Sequence, residues 1–283
     1  MNTAQQMLTV DDHNRGFVNM TYIYPVVSRR ARGVSVGVNL NPNNACNWHC
    51  AYCQVPGLVR GAAPEIDLEL LSRELEAFLH ELVHGRFMEE HVPPEARVIR
   101  DIAFSGNGEP TSSKRFAEVM ALVVELRNKV GLAHVPIRVI SNGSLIDRLY
   151  VQEGLRTLAA AGGEVWFKLD GGRAEDIARI NGVDIRPEAH VQRLVQCASL
   201  CPTWVQTCMM RWDGELPTDA ALEAYLEMLK AAGVERLQGV HLYGVVRPSY
   251  QEEAVHLKQM TADELEHIAC RIRALGLTVT VSP

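Results

Sequence analysis

Short β-branched runs recur along this chain, and their two faces differ in kind. In "VSVGVNL" Val34, Val36, Val38 and Leu40 share one face, and Ser35, Gly37 and Asn39 the other. In "IAFSGN" Ile102 and Phe104 oppose Ala103, Ser105 and Asn107, and in "VWFKLD" Val165, Phe167 and Leu169 oppose Trp166, Lys168 and Asp170. In "VHLYGVVR" Val240, Leu242 and Val246 oppose His241, Tyr243 and Arg247; "WVQTCMM" is less regular, but Gln206 and Cys208 share a face. A parallel strand buried on both sides reads as continuous apolar sequence. These strands bury one face only, so the other must line something polar.

Six such runs can be drawn, at 34–42, 100–110, 137–144, 164–172, 203–210 and 239–248, and helix-period segments separate them. "DLELLSRELEAFLHELV" places Leu68, Leu71, Leu75 and Leu82 on one stripe behind an Asp67 N-cap. "SSKRFAEVMALVVELRNKVG" ends at Gly131, and "TDAALEAYLEMLKAAG" runs from a Thr218 cap to Gly233. Strands alternating with helices imply a parallel sheet with crossover helices. Six units are too few for a closed eight-strand barrel, and a closed barrel plugged with aliphatic residues lacks a polar face. The reading is therefore an α/β fold, a partial (β/α)6 barrel with a parallel sheet and outer helices. A flat doubly wound sheet satisfies the same spacing. Residues 1–33 read as an N-terminal extension, 34–250 as the barrel, and 251–283 as a C-terminal helix and strand completing it.

The composition, 47% hydrophobic and 22% charged, is that of an ordinary globular protein. No apolar run approaches membrane-spanning length, and residues 1–20 lack a signal-peptide core, so a cytoplasmic protein with no membrane partner is expected. A net charge of −6 supplies no general field for nucleic acid; Arg29, Arg30 and Arg32 run against that trend and read first as a solvated loop.

Seven cysteines in such a chain point to metal or redox chemistry rather than disulfides. Cys46, Cys50 and Cys53 follow the first strand in "CNWHCAYC", where barrel active sites are built. A structural zinc needs a fourth ligand, and Cys197 with Cys201 could supply a partner pair only by folding across the barrel. His49, between two of the cysteines, is poorly placed to complete a tetrahedron. Three thiolates can instead hold three irons of a [4Fe–4S] cube, leaving the fourth iron open.

With Tyr52 just before the third cysteine, this loop resembles that of the radical S-adenosylmethionine (SAM) enzymes. The resemblance implies a cofactor whose amino and carboxylate groups chelate the open iron and whose reductive cleavage yields a 5′-deoxyadenosyl radical. Three further strand ends carry it. "SGNGEPT" is similar to the family's Gly-Gly-Glu segment: Gly106 and Gly108 permit close backbone approach, Glu109 would accept from the cofactor's ammonium, and Asn107 departs from the simple pattern. "ISNGS" resembles the family's Thr-Asn-Gly stretch and puts Ser141 and Asn142 near the cofactor; "KLDGG" offers Lys168 and Asp170 for its carboxylate and ribose. Each motif alone is also an ordinary turn or ion pair; their occurrence in order at consecutive strand ends is what identifies the family.

Within that family, "VNLNPNNACNWHCAYCQV", "FSGNGEPT" and "LDGG…ARING" most resemble small enzymes related to the tRNA-modifying wyosine synthases. The acidic balance favours a small-molecule or peptide substrate over tRNA. An activating enzyme for a glycyl-radical partner, and a non-catalytic iron–sulfur or zinc protein, are the other readings. The resemblance also implies a reductant such as flavodoxin or ferredoxin. Gln206, Cys208, His241, Tyr243 and Arg247 share the interior face and are the substrate-side candidates: Arg247 for a phosphate or carboxylate, Tyr243 or Cys208 to return a hydrogen atom. A second cluster from Cys197, Cys201 and Cys208 is a further arrangement, although residues 197 and 201 are spaced for packing on a helix. "PSYQEEAVHLKQ" reads either as a lid over the barrel or as a plain connection.

Overall fold

All six expected strands run parallel in one sheet, a strand near the C-terminus extends it at one edge, and a further strand not expected from the sequence extends it at the other. The computed structural model describes residues 7–9, 17–28 and 33–283; the Arg29–Arg32 cluster lies outside the described residues. In chain order the sheet strands are β1 (Ile23–Ser28), β2 (Gly33–Val38), β3 (Ile99–Phe104), β4 (Ile137–Ser141), β5 (Glu164–Lys168), β6 (Thr203–Met209), β7 (Gly239–Gly244) and β8 (Val279–Ser282). Their order in the sheet is their order in the chain. β1 is antiparallel to β2, and every later pairing is parallel. β1 carries Pro25 and occupies an edge, where a missing N–H is tolerated. That proline hides the strand from an alternation-based reading. Among the described residues the two edge strands do not pair with each other, so the barrel is open.

Among the described residues, seven helices of eight residues or more cover the outside: α1 (Leu68–His84), α2 (Phe116–Lys129), α3 (Leu149–Ala160), α4 (Ala174–Asn181), α5 (Pro187–Leu200), α6 (Asp219–Ala232) and α7 (Ala262–Arg273); a single turn at Phe87–His91 follows α1. The Asp67 carboxylate accepts from Leu70 N–H at 2.9 Å and the Thr218 hydroxyl from Ala221 N–H at 3.2 Å, so both expected caps form. α2 starts later than its sequence period suggests, because Pro110–Ser112 is wound into a 3₁₀ turn. The helices meet the apolar strand face, where Val36, Phe104, Val139, Phe167, Val205 and Leu242 are fully buried. Among the described residues, no helix is long and apolar enough to cross a membrane.

The opposite face is polar, as the alternation requires. Toward the N-terminal ends of the strands, Asp101 accepts from the Ser35 hydroxyl and from the Arg138 guanidinium, whose Nε donates to Glu164 at 2.7 Å. That guanidinium lies 5.0 Å over the Trp166 ring, and His241 stacks on Trp204 at 4.4 Å. These side chains floor the barrel. Cys197 and Cys201 belong to the outer core, whereas Cys208 packs with Tyr52 and Met210 inside, so the sheet separates the three thiols of the suggested second cluster.

The strands stop sooner than their sequence runs. β2, β3, β4, β5 and β7 end at Val38, Phe104, Ser141, Lys168 and Gly244, and the residues beyond form loops at the C-terminal mouth. Val246, placed by alternation on the apolar face, is thus an exposed loop residue.

Candidate active site

The loop after β2 is held from below by the end of α4. His49 N–H donates to the Asn181 carbonyl at 3.0 Å and Ala51 N–H to that of Ile180 at 2.7 Å. α4 stops at Gly182 with φ 64°, where a Cβ would fall 2.5 Å from the His49 carbonyl oxygen, so only glycine permits this contact. Two N–H groups point at sulfur: Trp48 N–H at 3.4 Å from Cys46 Sγ, and Asn181 Nδ2 at 3.4 Å from Cys50 Sγ. Such donors favour thiolates. Burial pushes the Cys46 thiol up to about 11 and the Cys50 thiol to about 12, so these sulfurs become anionic only beside a compensating cation. Among the described residues no three His, Cys, Asp or Glu side chains converge as ligands of one ion would. The three loop cysteines instead line one cavity of about 330 Å³. Their donor set fits an iron–sulfur group, whose irons sit at separate corners.

The same cavity brings together Tyr52, Gly106, Asn107, Gly108, Glu109, Asn142, Lys168, Gln206, Cys208, Tyr243 and Arg247 from five strand ends and the cysteine loop. Ser141, Asp170 and His241 stand behind its wall. Ser141 donates to Glu109 at 2.7 Å, and His241 lies in the floor between Trp166 and Trp204. Asp170 is taken up internally by the Tyr52 hydroxyl at 2.5 Å, Asn181 Nδ2 at 2.8 Å and Cys208 N–H at 2.7 Å. It ties β5 to the cysteine loop and to β6.

Glu109 has a similar duty. Oε1 accepts from Thr111 N–H, the Thr111 hydroxyl and the Ser141 hydroxyl, and Oε2 from Asn142 N–H at 2.7 Å. Burial raises its carboxyl above the ordinary range, while those four donors pull the other way. The carboxylate is thus the latch between the loops after β3 and β4, with room on Oε2 for one more donor. Replacing Glu109 with Gln sets an amide N–H₂ against donors. Chemical denaturation should then show a loss of about 2–3 kcal/mol, with melting lowered by roughly 3–5 °C.

The glycines of "SGNGEPT" are required by packing against the cysteine loop. A Cβ on Gly106, at φ 137°, would lie 2.4 Å from Asn39 Oδ1, and one on Gly108 would lie 2.1 Å from the Ala45 carbonyl oxygen. Asn107 supplies what a third glycine could not: its Nδ2 donates to Asn44 Oδ1 at 2.5 Å. Lys168 sits 3.1 Å from the Tyr52 hydroxyl and 5.0 Å over that ring. Burial opposes its charge, but Tyr243, Asp170, Cys50 and Cys208 around it together raise its pKa.

Sequence reading passed over several residues of this assembly. Asn47 joins the cysteine loop to the β4 loop, accepting from Asn142 Nδ2 at 2.9 Å and donating to the Ser144 hydroxyl at 2.6 Å. Asn181 bridges Cys50 and Asp170. Its sequence signals are its place in "ARING" and before a helix-ending glycine.

Against this geometry, the family profile described as the Radical SAM superfamily matches residues 40–211, more than half of the chain. The chain belongs to the radical SAM superfamily. Members of that superfamily are enzymes that cleave SAM reductively at an iron–sulfur cluster. Solved radical SAM structures share the partial barrel at low identity. A radical SAM methyltransferase from Sphaerobacter thermophilus matches with TM-score 0.60 and 15% identity, over 88% of this chain and 66% of that one. TYW1 with a lysine-pyruvate adduct bound matches with TM-score 0.57 and 17% identity, over 86% and 74%. Streptococcus suis SuiB bound to S-adenosylmethionine matches with TM-score 0.55 and 12% identity, over 87% and 50%, so this chain spans half the length of that protein. A 130-residue stretch, 46% of this chain, is 29% identical to 16% of the protein named GTPase Obg from Brachyspira hyodysenteriae (strain ATCC 49526 / WA1).

Proposed function

We propose that this radical SAM chain holds one [4Fe–4S] cluster on Cys46, Cys50 and Cys53 and acts on a small polar molecule or peptide side chain inside the barrel. The observation that carries this reading is a single cavity that joins three loop thiols to a polar barrel interior. When bound, cluster and SAM together supply reductive sulfonium cleavage and a 5′-deoxyadenosyl radical for hydrogen abstraction. The chain's own residues do the rest. Gly106, Asn107, Gly108 and Asn142 would form the wall against SAM; Glu109 and Ser141 hold that wall in place and leave one Glu109 acceptor site that an ammonium would use. Lys168 meets a carboxylate, and Tyr52 with Asp170 fixes Lys168 beneath the cysteine loop. Gln206, Cys208, Tyr243 and Arg247 line the same cavity, where Arg247 would suit an anionic group and Tyr243 or Cys208 would be the candidates to return a hydrogen atom to a product radical. A low-potential donor such as flavodoxin or ferredoxin in a reducing cytoplasm completes the scheme.

Anaerobic reconstitution with iron and sulfide, then reduction in the presence of SAM, should release 5′-deoxyadenosine. A fully loaded cluster that yields none would overturn the reading. A wyosine-type tRNA modifier would instead show salt-sensitive tRNA binding that disappears when Arg29, Arg30 and Arg32 are replaced.

A further inference from the structure

Beyond Gly244 the chain runs along the cavity through Val245, Val246 and Arg247, then turns onto the cysteine loop. There it makes a dense set of hydrogen bonds to main-chain carbonyls. The Ser249 hydroxyl lies 2.6 Å from the Ala51 carbonyl oxygen and 3.1 Å from that of Cys53. Gln251 Nε2 donates to the Cys53 carbonyl at 3.2 Å and to that of Val55 at 3.1 Å. Tyr250 N–H also donates to the Cys53 carbonyl, at 3.0 Å, and Gln251 N–H donates to the Ser249 hydroxyl oxygen at 3.1 Å. The single Ser249 hydroxyl hydrogen goes to the nearer Ala51 carbonyl, so Gln251 Nε2 and Tyr250 N–H fill the two lone pairs of the Cys53 carbonyl. Gln251 is buried, which shields these bonds from competing water.

The three cysteines are therefore supported in two ways. Cys46 and Cys50 receive N–H groups at sulfur, from Trp48 and Asn181. Cys53 is held through its backbone, by a segment nearly two hundred residues away in sequence. Outer contacts of this kind orient metal ligands, and their removal typically weakens metal retention by roughly 10- to 100-fold.

We propose that Ser249 and Gln251 form a clasp whose role is to position Cys53 and retain its iron. The inference rests on the reading that Cys46, Cys50 and Cys53 hold a [4Fe–4S] cluster. The clasp also gives the stretch after β7 a defined duty: it ties the chain leaving that strand to the cysteine loop.

The test compares anaerobically reconstituted wild-type protein with Ser249→Ala, Ser249→Thr and Ser249→Ala/Gln251→Leu. Iron release to a colorimetric chelator is followed, together with the electron paramagnetic resonance of the reduced cluster. Release should be about 10-fold faster in the double variant and intermediate in Ser249→Ala, with altered resonance positions. Ser249→Thr, which keeps the hydroxyl, should stay within about twofold of wild type. Equal release rates and unchanged resonances in the two alanine-bearing variants would overturn the clasp. Ser249→Ala removes only one oxygen and keeps the test open if the double variant does not fold. Wild-type protein that takes up no cluster would instead defeat the underlying reading.

Discussion

Cys50→Ala should abolish 5′-deoxyadenosine formation, lowering it by more than about 100-fold, beyond what loss of an outer contact removes. Cys50 is the middle cysteine of the loop and the one whose sulfur receives Asn181 Nδ2. Its removal leaves two thiols for a cube that needs three, so iron after reconstitution should fall well below about four per chain. The fold should persist, since Cys50 packs with Tyr52 and Cys208 in the interior cluster and not in the main core. Iron analysis, visible absorption and product chromatography on one preparation check all three points. Undiminished cleavage in the variant would mean that these cysteines do not hold the cluster.

Arg138→Met should produce the largest loss of stability, about 3–5 kcal/mol by chemical denaturation. Arg138 is the only described partner of opposite charge for Asp101, which is 3% exposed and otherwise accepts from the Ser35 hydroxyl. Removing the guanidinium strands that carboxylate in the barrel floor and also releases Glu164. Adding Asp101→Asn to Arg138→Met should recover part of the loss, because it removes the stranded charge. Full additivity of the two substitutions would show that the pair does not act as a unit.

How much of this was legible beforehand follows from the range of each signal. Face alternation is local, so it showed that Ser35, Lys168, Gln206 and Tyr243 share an interior, and the structure places them around one cavity. Caps are local too, and Asp67 and Thr218 form as their neighbours dictate. The limits of the strands were not legible: a run such as "VSVGVNLNP" keeps its alternation after the ladder has ended at Val38. Long-range polar contacts were also hidden. Nothing in "PSYQEE" announces that Ser249 and Gln251 bond to the cysteine loop, or in "ARING" that Asn181 reaches Cys50. Glu109 was recognisable by motif, but its four internal donors come from two separate loops and reveal a latch that spacing alone does not encode.

The central claim is that three cysteines leave one iron open for SAM. The most direct measurement is electron–nuclear double resonance on the reduced, reconstituted protein, with SAM labelled by ¹⁷O in its carboxylate and ¹⁵N in its amino group. The account predicts hyperfine coupling from both labels to the cluster. A cluster spectrum that SAM leaves unchanged, with no coupling from either label, would contradict it and mark the cluster as fully ligated by protein.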